Sequence, residues 1–458
     1  MDTLDTRADL AWAVAAFNNG ANTRYAKYRA YLAGDQPLKF ATAKFEEAFG
    51  GVFQEFAYNI SETVVDAHAD RMQVVGFGAD NDTLSQKAQA IWDANGMDNR
   101  EGQVEQEQFG MGDAYIAVEM VDGEPVLWPH LAHEMRVRYS ETRPGELEAA
   151  ARLWAVPGGP WRLNIWDTGY LYKFVADRQP KDHAIPKKPD VFAPMEVDGE
   201  AWPLENPVPG TVPVFHFPNN GRVNDYGVSE IRNVIPLQDA LNKTVLDMMV
   251  AMEFYAFRQR VLLGVAIDPD DTAAQQQLQQ FQTGLTRLLF IDGAEGKTPS
   301  IDEFGETNIA QYTGVIERFE KKIATVTKVP KNYLGLRTSD YTSGESKRMD
   351  ETQFIAKIED RQRSNGAIIS AMMTYCLAAT GESVKPGDIR VNWAPAAPIS
   401  SDEQVERMAI MRRDIKLPLP TILREAGYEP TQIEAIMSEV AEEADANRSL
   451  FDMGAPLA

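Results

Sequence analysis

Thr307-Asn308-Ile309-Ala310-Gln311-Tyr312-Thr313-Gly314-Val315-Ile316-Glu317-Arg318-Phe319-Glu320-Lys321-Lys322-Ile323-Ala324-Thr325-Val326-Thr327 is the most regular stretch of the chain. Its Ile309, Tyr312, Ile316, Phe319, Ile323 and Val326 stand three and four residues apart without a miss. Residues so spaced share one face of an α-helix. The spacing therefore predicts an amphipathic helix over 307–327. Glu317 and Lys321, four apart on the outer face, can pair. Pro330 is its expected stop.

A second stretch, 235–255, places Gln238, Leu241, Val245, Met248, Met252 and Tyr255 at the same spacing. Gln238 is a polar break in this seam, and Pro236 must start the helix or kink it. The two helices flank a unit over 257–304 that reads as small α/β. Arg260–Leu263 and Leu288–Ile291 have strand character, and Asp270-Asp271-Thr272 can cap a helix through Ala273–Gln282. Antiparallel helices would make the insert project from the end of a stalk. The plainer alternative is two buried helices of one globular core. Three heptads each fall short of specifying a coiled coil, so the pattern by itself favours that core.

Outward from this centre, residues 5–100 read as mostly helical, through Ala8–Phe17, Ala21–Leu32, Phe45–Asp70 and Thr83–Asn95. Residues 112–217 read as strands, with a hairpin about Asp122-Gly123. Prolines crowd Pro180–Pro213 and suggest loops. After the loop Val329–Ser343, a helix over about 345–380 would be roughly 50 Å long, with Gly366 as a candidate bend. Ser401-Asp402-Glu403-Gln404 has a capping-box pattern. Leu417-Pro418-Leu419-Pro420 reads as a linker, Gly427 as a stop and Pro430–Ala446 as a last acidic helix. The fold class is α+β, mainly helical.

With 458 residues and 44% hydrophobic content, the chain can bury a large core without staples. Its formal net charge of -23, from 45 basic and 68 acidic residues, argues against a tight grip on many phosphates. It leaves room for a protein that lets DNA pass. One cysteine, Cys376 in an apolar stretch, excludes an internal disulfide framework and reads as a buried thiol. The acidic start Met1-Asp2-Thr3-Leu4-Asp5 lacks a signal-peptide core, and no apolar stretch is long enough for a membrane span. Synthesis in a cytoplasm is expected.

Enzymatic constellations are weak. His130-x-x-His133-Glu134 differs from the order that puts two zinc ligands and a base on one helix face. Asp66-x-His68-x-Asp70 has a spacing that does not converge on a metal from a helix, and His216 reads as a strand core or edge. Gly344-Glu345-Ser346 is no nucleophile elbow, and no phosphate loop occurs. No catalytic residue, metal or cofactor is expected.

Several segments, in order, resemble the portal proteins of tailed bacteriophages of the siphophage type. These are Tyr31-Leu32-Ala33-Gly34-Asp35-Gln36-Pro37-Leu38, Gly110-Met111-Gly112-Asp113-Ala114-Tyr115 and Pro213–Asn219. They continue with Gly227-Val228-Ser229-Glu230-Ile231, Leu237-Gln238-Asp239-Ala240-Leu241-Asn242-Lys243-Thr244, Val329-Pro330-Lys331 and Ser343-Gly344-Glu345-Ser346. The ordered set carries the resemblance, and 180–213 has no counterpart in it. The resemblance implies a homo-oligomeric ring, usually of twelve subunits, at one vertex of the capsid in the virion. Double-stranded DNA would enter and leave through its channel. The ring would dock the terminase large subunit, meet the major capsid protein and scaffold, and later hold head-completion adaptor and tail proteins.

Carried over, the resemblance makes 1–227 a wing, 228–256 a first stem helix, 257–304 a clip and 305–328 a second stem helix. Residues 329–344 become a tunnel loop, 345–399 a long wing helix with a following strand, and 400–458 a crown. The stem seam is Leu241, Val245, Met248 and Met252 with Ile309, Tyr312, Ile316, Phe319, Ile323 and Val326. Lys328, Lys331 and Arg337 become candidates for DNA contact, with solvated loop charges as the equal alternative. The ring reverses the balance struck above: the two helices become channel walls. Two rivals remain, another minor head or scaffold protein and a metal-dependent hydrolase using His130, His133 and Glu134.

Overall fold

The computed structural model describes residues 6–36, 58–176, 184–197, 199–256, 260–263, 288–291, 300–303, 309–336, 344–397, 401–426, 433 and 435–442. In chain order the helices are α1 (Thr6–Phe17), α2 (Ala21–Ala33), α3 (Ser61–Ala69), α4 (Asp82–Ala94) and α5 (Met97–Met111). They continue as α6 (Ile235–Ala256), α7 (Ala310–Thr327), α8 (Gly344–Ala379), α9 (Ser401–Arg413) and α10 (Leu419–Glu425). The strands are β1 (Val74–Ala79), β2 (Asp113–Val121), β3 (Glu124–His130), β4 (Met135–Tyr139), β5 (Leu147–Ala155), β6 (Trp161–Trp166) and β7 (Tyr170–Ala176). They continue as β8 (Phe192–Pro194), β9 (Leu204–Glu205), β10 (Val214–Pro218), β11 (Arg260–Leu263), β12 (Leu288–Ile291), β13 (Ser300–Glu303) and β14 (Ile389–Trp393).

The chain forms two compact units. The first takes Met1–Arg29, Val64–Arg232 and Tyr341–Ala458; the second takes Ala30–Thr63 and Asn233–Asp340. In the first unit β10, β2 and β3 make one antiparallel sheet. Its β2–β3 hairpin turns on Asp122 and Gly123, both at positive φ, as a type I′ turn requires. One face of this sheet meets α4 and α8. Trp92, Leu127, Phe215, Phe217, Met372 and Met373 are buried in that core, as is the Cys376 thiol, which burial pushes up to about 12. The larger sheet runs β4-β5-β6-β7-β8, with β9 also on β7. Val14 and Phe17 of α1 cover it against Leu153, Leu163, Ile165 and Phe174.

In the second unit α6 packs along α7, and β11 lies between β12 and β13. The β11–β12 pair is parallel and the β11–β13 pair antiparallel. The helix expected at Ala273–Gln282 lies outside the described residues.

The structure differs from the sequence expectations at several elements. The helix expected over Phe45–Asp70 is not continuous, because residues 58–60 are not helical and α3 begins at Ser61. Its part at 45–57 lies outside the described residues. Helix α5 fills a stretch that periodicity passed over, since its buried face includes Glu101, Glu105 and Gln108. Strand β1 carries two glycines and finds its partner far along the chain in β14. The proline-rich 180–213 stretch contributes β8 and β9 to the edge of the large sheet. Trp202 from that stretch packs edge-on against Phe174 and Tyr172. Leu419 and Pro420 belong to the first turn of α10 instead of a linker, where a missing N–H costs nothing. Helix α8 runs through Gly366, whose bare Cα lets Trp393 approach; an added Cβ would stand 3.1 Å from its Nε1. Gly427 and Ser343 lie outside the described residues, and 435–442 of the last expected helix is helical.

Candidate functional site

The α6–α7 pair is the first candidate. Pro236 occupies the first turn of α6, where it neither breaks nor kinks the helix. Leu241, Val245 and Leu246 are buried, as are Gln238, Asp239 and Asn242. Gln238 is therefore no flaw in the seam. Its Oε1 accepts from Ile60 N–H at 3.0 Å, and its Nε2 donates to Tyr58 C=O and to Asn242 Oδ1. Tyr31 donates its hydroxyl to Asp239, and Tyr58 donates to Glu320 of α7 at 2.7 Å. That bond to Glu320, with burial, pushes the Tyr58 phenol up to about 12.

The apolar seam is only partly closed. On α7, Ile323 is fully buried, Ile309, Tyr312, Ile316 and Phe319 are half-buried, and Val326 is exposed. On α6, Met248 is half-buried and Met252 exposed. Helix α7 ends at Thr327, ahead of Pro330, because Lys328 turns left-handed at φ 64°. A 3₁₀ turn over Lys331–Leu334 follows, closed by Gly335 at φ 71°. Val329 and Leu336 are buried and pin this loop.

A second constellation lies in the first unit, where two backbones cross. Gly112 accepts from Asn219 N–H at 2.8 Å, and a Cβ on Gly227 would overlap the Gly112 carbonyl. Beside this crossing, Asp113 accepts from Gly227 N–H at 2.6 Å and Tyr25 hydroxyl at 2.8 Å. It also lies 2.9 Å from His216 Nε2, while His216 Nδ1 is 2.7 Å from the Tyr139 hydroxyl. Burial pushes the Asp113 carboxyl up, but the bonds from His216, Gly227 and Tyr25 outweigh it and hold the group below the usual carboxylate range.

Further along, Glu230 accepts from Lys357 of α8 at 2.6 Å and from Asn219 and Asn220 at 3.1 Å. Burial opposes its ionisation; the Lys357 charge, with the bonds from Lys357 and Asn219, prevails and lowers it. His68 donates from Nδ1 to Val64 C=O at 2.7 Å, so its Nε2 is free to accept from Lys357 at 2.9 Å. Burial, then the Lys357 charge, lowers the His68 imidazole to about 4 against the pull of Glu230, which keeps the ring neutral. Arg361 completes the cluster by donating to Asn219 and Asn220.

Residues 24–446 match the family model described as phage portal protein, SPP1 Gp6-like. The chain belongs to this portal family. The portal protein of Mycobacterium phage L5 is 26% identical over 343 residues, which cover 71% of this chain and 66% of that one. The portal protein of Mycobacterium phage D29 is 30% identical over 187 residues, 40% of this chain and 38% of that one. The chain thus spans just under two thirds of the L5 relative. Among solved structures, a chain of the virion of a native gene transfer agent particle gives a TM-score of 0.47 at 11% identity, covering 89% of this chain and 99% of that one. A chain from the neck of the empty particle, computed with C6 symmetry, gives 0.48 at 11% identity, covering 88% and 99%.

In this portal chain several of the segments that carried the family resemblance meet within one unit or the other. Gly110–Tyr115, Pro213–Asn219 and Gly227–Ile231 form the crossing in the first unit. Tyr31 and the Leu237–Thr244 stretch meet in the second through the bond to Asp239. Lys328 and Lys331 fall within one short turn after α7, Lys328 exposed and Lys331 half-buried; Arg337 lies outside the described residues. Tyr255 lies within α6, and nothing further of its side chain is described.

The three residues of the hydrolase alternative do not gather into a metal-ligating group among the described residues. Glu134 is bonded to Arg152 through Nε and Nη2. His130 sits in β3 opposite Tyr115, and burial, then Arg152, lowers it to about 3. Burial also lowers His133. No group of metal-ligating side chains occurs among the described residues. The bonds of Asp113 and Lys357, and those of Gln238 to Tyr58 and Ile60, escaped the sequence, because each joins residues far apart in the chain.

Proposed function

We propose that the chain is a subunit of a portal ring at one capsid vertex, through which double-stranded DNA is packaged and later ejected. It acts as a structural part of the virion and not as a catalyst. The family match over 24–446 carries this proposal. The half-open seam supports it physically. Ile309, Tyr312, Ile316, Phe319 and Val326, with Met248 and Met252, leave apolar surface that one subunit does not cover. Burying the rest of such side chains contributes on the order of 1 kcal/mol each. A closed ring repeats that gain wherever two unlike faces meet. The chain is assigned wing, 1–227; first stem helix, 228–256; clip, 257–304; second stem helix, 305–328; and tunnel loop, 329–344. Its long wing helix and strand are 345–399, and its crown is 400–458.

The ring, of twelve subunits, meets the terminase large subunit, then adaptor and tail proteins, at the clip, and the major capsid protein and scaffold around its wing. Lys328, Lys331 and Arg337 touch passing phosphates transiently. No helix among the described residues is long and apolar enough to cross a membrane. The chain is made in the host cytoplasm and takes its place in the capsid. Negative-stain imaging with scaffold or capsid protein tests the proposal. Rings with a central hole are expected; a monomer under those assembly conditions sinks it.

A further inference from the structure

Two sheet edges in the first unit are closed by side chains, and a third is left open. On β3 the residues turned to the edge are Pro125, Leu127 and Pro129. The prolines have no N–H, and Asn95 takes what remains: its Oδ1 accepts from Leu127 N–H at 2.8 Å and its Nδ2 donates to Pro125 C=O at 3.0 Å. On β4 the Tyr226 hydroxyl does the same, accepting from Val137 N–H at 3.1 Å and donating to Val137 C=O at 3.0 Å. Strand β10 is the other edge of the β10-β2-β3 sheet. Val118 N–H donates to Pro213 C=O and Asn219 N–H to Gly112 C=O, both at 2.8 Å, so the odd-numbered residues of this stretch bond to β2. The N–H and C=O of Val214 and His216 therefore point away from β2. On that side they have no hydrogen-bond partner among the described residues. Both residues are buried, and backbone groups of buried residues are nearly always paired.

A cavity of about 310 Å³ lies along this edge. Ala367, Ile368 and Ala371 of α8 wall one side, and Tyr139 and Leu147 of the β4–β5 hairpin wall the other. Side chains alternate along a strand. Phe215 accordingly turns toward α8, where it meets Tyr375 edge-on, and His216 turns the opposite way to Tyr139 at 2.7 Å. A space of this volume holds a few residues of extended chain, and excludes a helix ~10 Å across. Glu146 is the one carboxylate on the wall and meets Arg143 at 3.2 Å, so the slot selects no charge. Three residues of an antiparallel strand would use all four open groups. The outer two would exchange N–H and C=O with Val214 and His216, and the middle one, opposite Phe215, would turn its side chain toward Ile368 and Ala371. A second β10 does not suit the edge, because pairing it with itself needs a two-fold axis, whereas ring neighbours meet through unlike faces.

We propose that the open edge of β10 is a docking site for an extended segment of another protein, which adds antiparallel to Val214–His216 as a fourth strand of the sheet and seats an uncharged, valine-sized side chain between Phe215 and α8. Main-chain hydrogen bonds supply the affinity, and the slot supplies the preference at the middle residue. Pro213 and Pro218 limit the open stretch, since neither can donate to an added strand, so the edge accepts one short segment and does not template a growing sheet. The proposal goes beyond the ring reading, and its test is made on the single chain.

The probe is a short, end-capped, fluorescein-labelled peptide of alternating threonine and valine, and its control is the same peptide N-methylated at every threonine. Binding to the full chain is measured by anisotropy, and hydrogen exchange with mass spectrometry follows the segment 212–218. The probe should bind saturably and slow exchange in 212–218. N-methylation removes the N–H groups that would meet Val214 and His216 and should weaken binding about tenfold or more. Ala371→Leu, at an exposed position of α8, fills the slot and should weaken it by a similar factor, with circular dichroism unchanged. Equal affinity for the two peptides overturns the proposal, because the backbone is then not read. Failure of the probe to bind the folded chain, or undiminished binding to folded Ala371→Leu, overturns it as well. Protection of 212–218 that rises with protein concentration in the absence of the probe assigns the edge to a second copy and also overturns it.

Discussion

Replacing Gln238 with leucine tests whether this residue is a break in the first seam or a latch. Leucine has similar volume, so the cavity contribution is small and the change isolates the hydrogen bonds. Three hydrogen bonds disappear: to Ile60 N–H, to Tyr58 C=O and to Asn242 Oδ1. Tyr58 is 40% exposed, and water can replace the bond to its carbonyl. Ile60 and Asn242 are buried and cannot be rescued so easily. With about 1 kcal/mol for each bond, and more for a buried donor left unpaired, the cost is roughly 3 kcal/mol. Hydrogen exchange followed by mass spectrometry reads it directly, because the Ile60 amide is itself a donor in the latch. A peptide spanning 58–63 should exchange about a hundredfold faster in Gln238→Leu, as should the first turns of α6. An acceleration below tenfold would mean that the seam packs without Gln238 and that the latch contributes little.

Four further outcomes are expected elsewhere in the chain. His68 is lowered to about 4 in the fold against an ordinary 6.5, so the unfolded chain takes up its proton first as pH falls. Its contribution is complete above 6.5 and lost between 6.5 and 4, and His68→Gln should flatten that limb of a urea-stability profile. Glu101, which burial raises to about 8, behaves oppositely, with stability present below 4.5 and lost as pH rises through 8. Glu101→Gln keeps an acceptor for Val74 N–H and should raise stability at pH 9 more than at pH 6. Gly227→Ala forces a Cβ into the Gly112 carbonyl and should cost about 3 kcal/mol or more. All eight tryptophans lie in the segments of the first unit, so their emission reports that loss. Ile316→Asp places a charge in the half-open part of the seam, and gel filtration should show soluble monomers that no longer form rings.

Much of the helix and hairpin framework was legible because local pattern and tertiary burial agree there. The α7 helix and the Asp122-Gly123 hairpin each declare themselves from their own short stretch of sequence. Helix α5 did not, since its buried face includes Glu101, Glu105 and Gln108, and the last exchanges amide bonds with Asn365 on α8. A periodicity of apolar residues cannot register a helix whose packing is partly polar. Strand β1 was invisible for another reason. Val74-Val75-Gly76-Phe77-Gly78-Ala79 has little pairing power of its own, and its partner β14 is distant in the chain. In the candidate site, the seam residues and Lys328 and Lys331 lie on α6, α7 and the loop, but no pattern indicated that Gln238 is bonded on three sides.

Family motifs in this chain record geometric demands. Gly112 and Gly227 are glycines because the backbones at that crossing leave no room for a Cβ. Asp113 is an acid because the Gly227 amide, Tyr25 and His216 converge on it. Asn219 is an amide because it must donate to Val228 C=O and Glu230 while accepting from Arg361. Each requirement is met by few residue types, so it leaves a readable trace. A surface that touches only passing phosphates makes a looser demand: it asks for positive charge within reach, and Lys, Arg and neighbouring donors satisfy it interchangeably. The strongest motifs therefore mark the scaffold, whereas the exposed cations of α7 and its loop form no motif. That is why Lys328 and Lys331 must be tested by the salt dependence of DNA binding, where charge is the quantity measured.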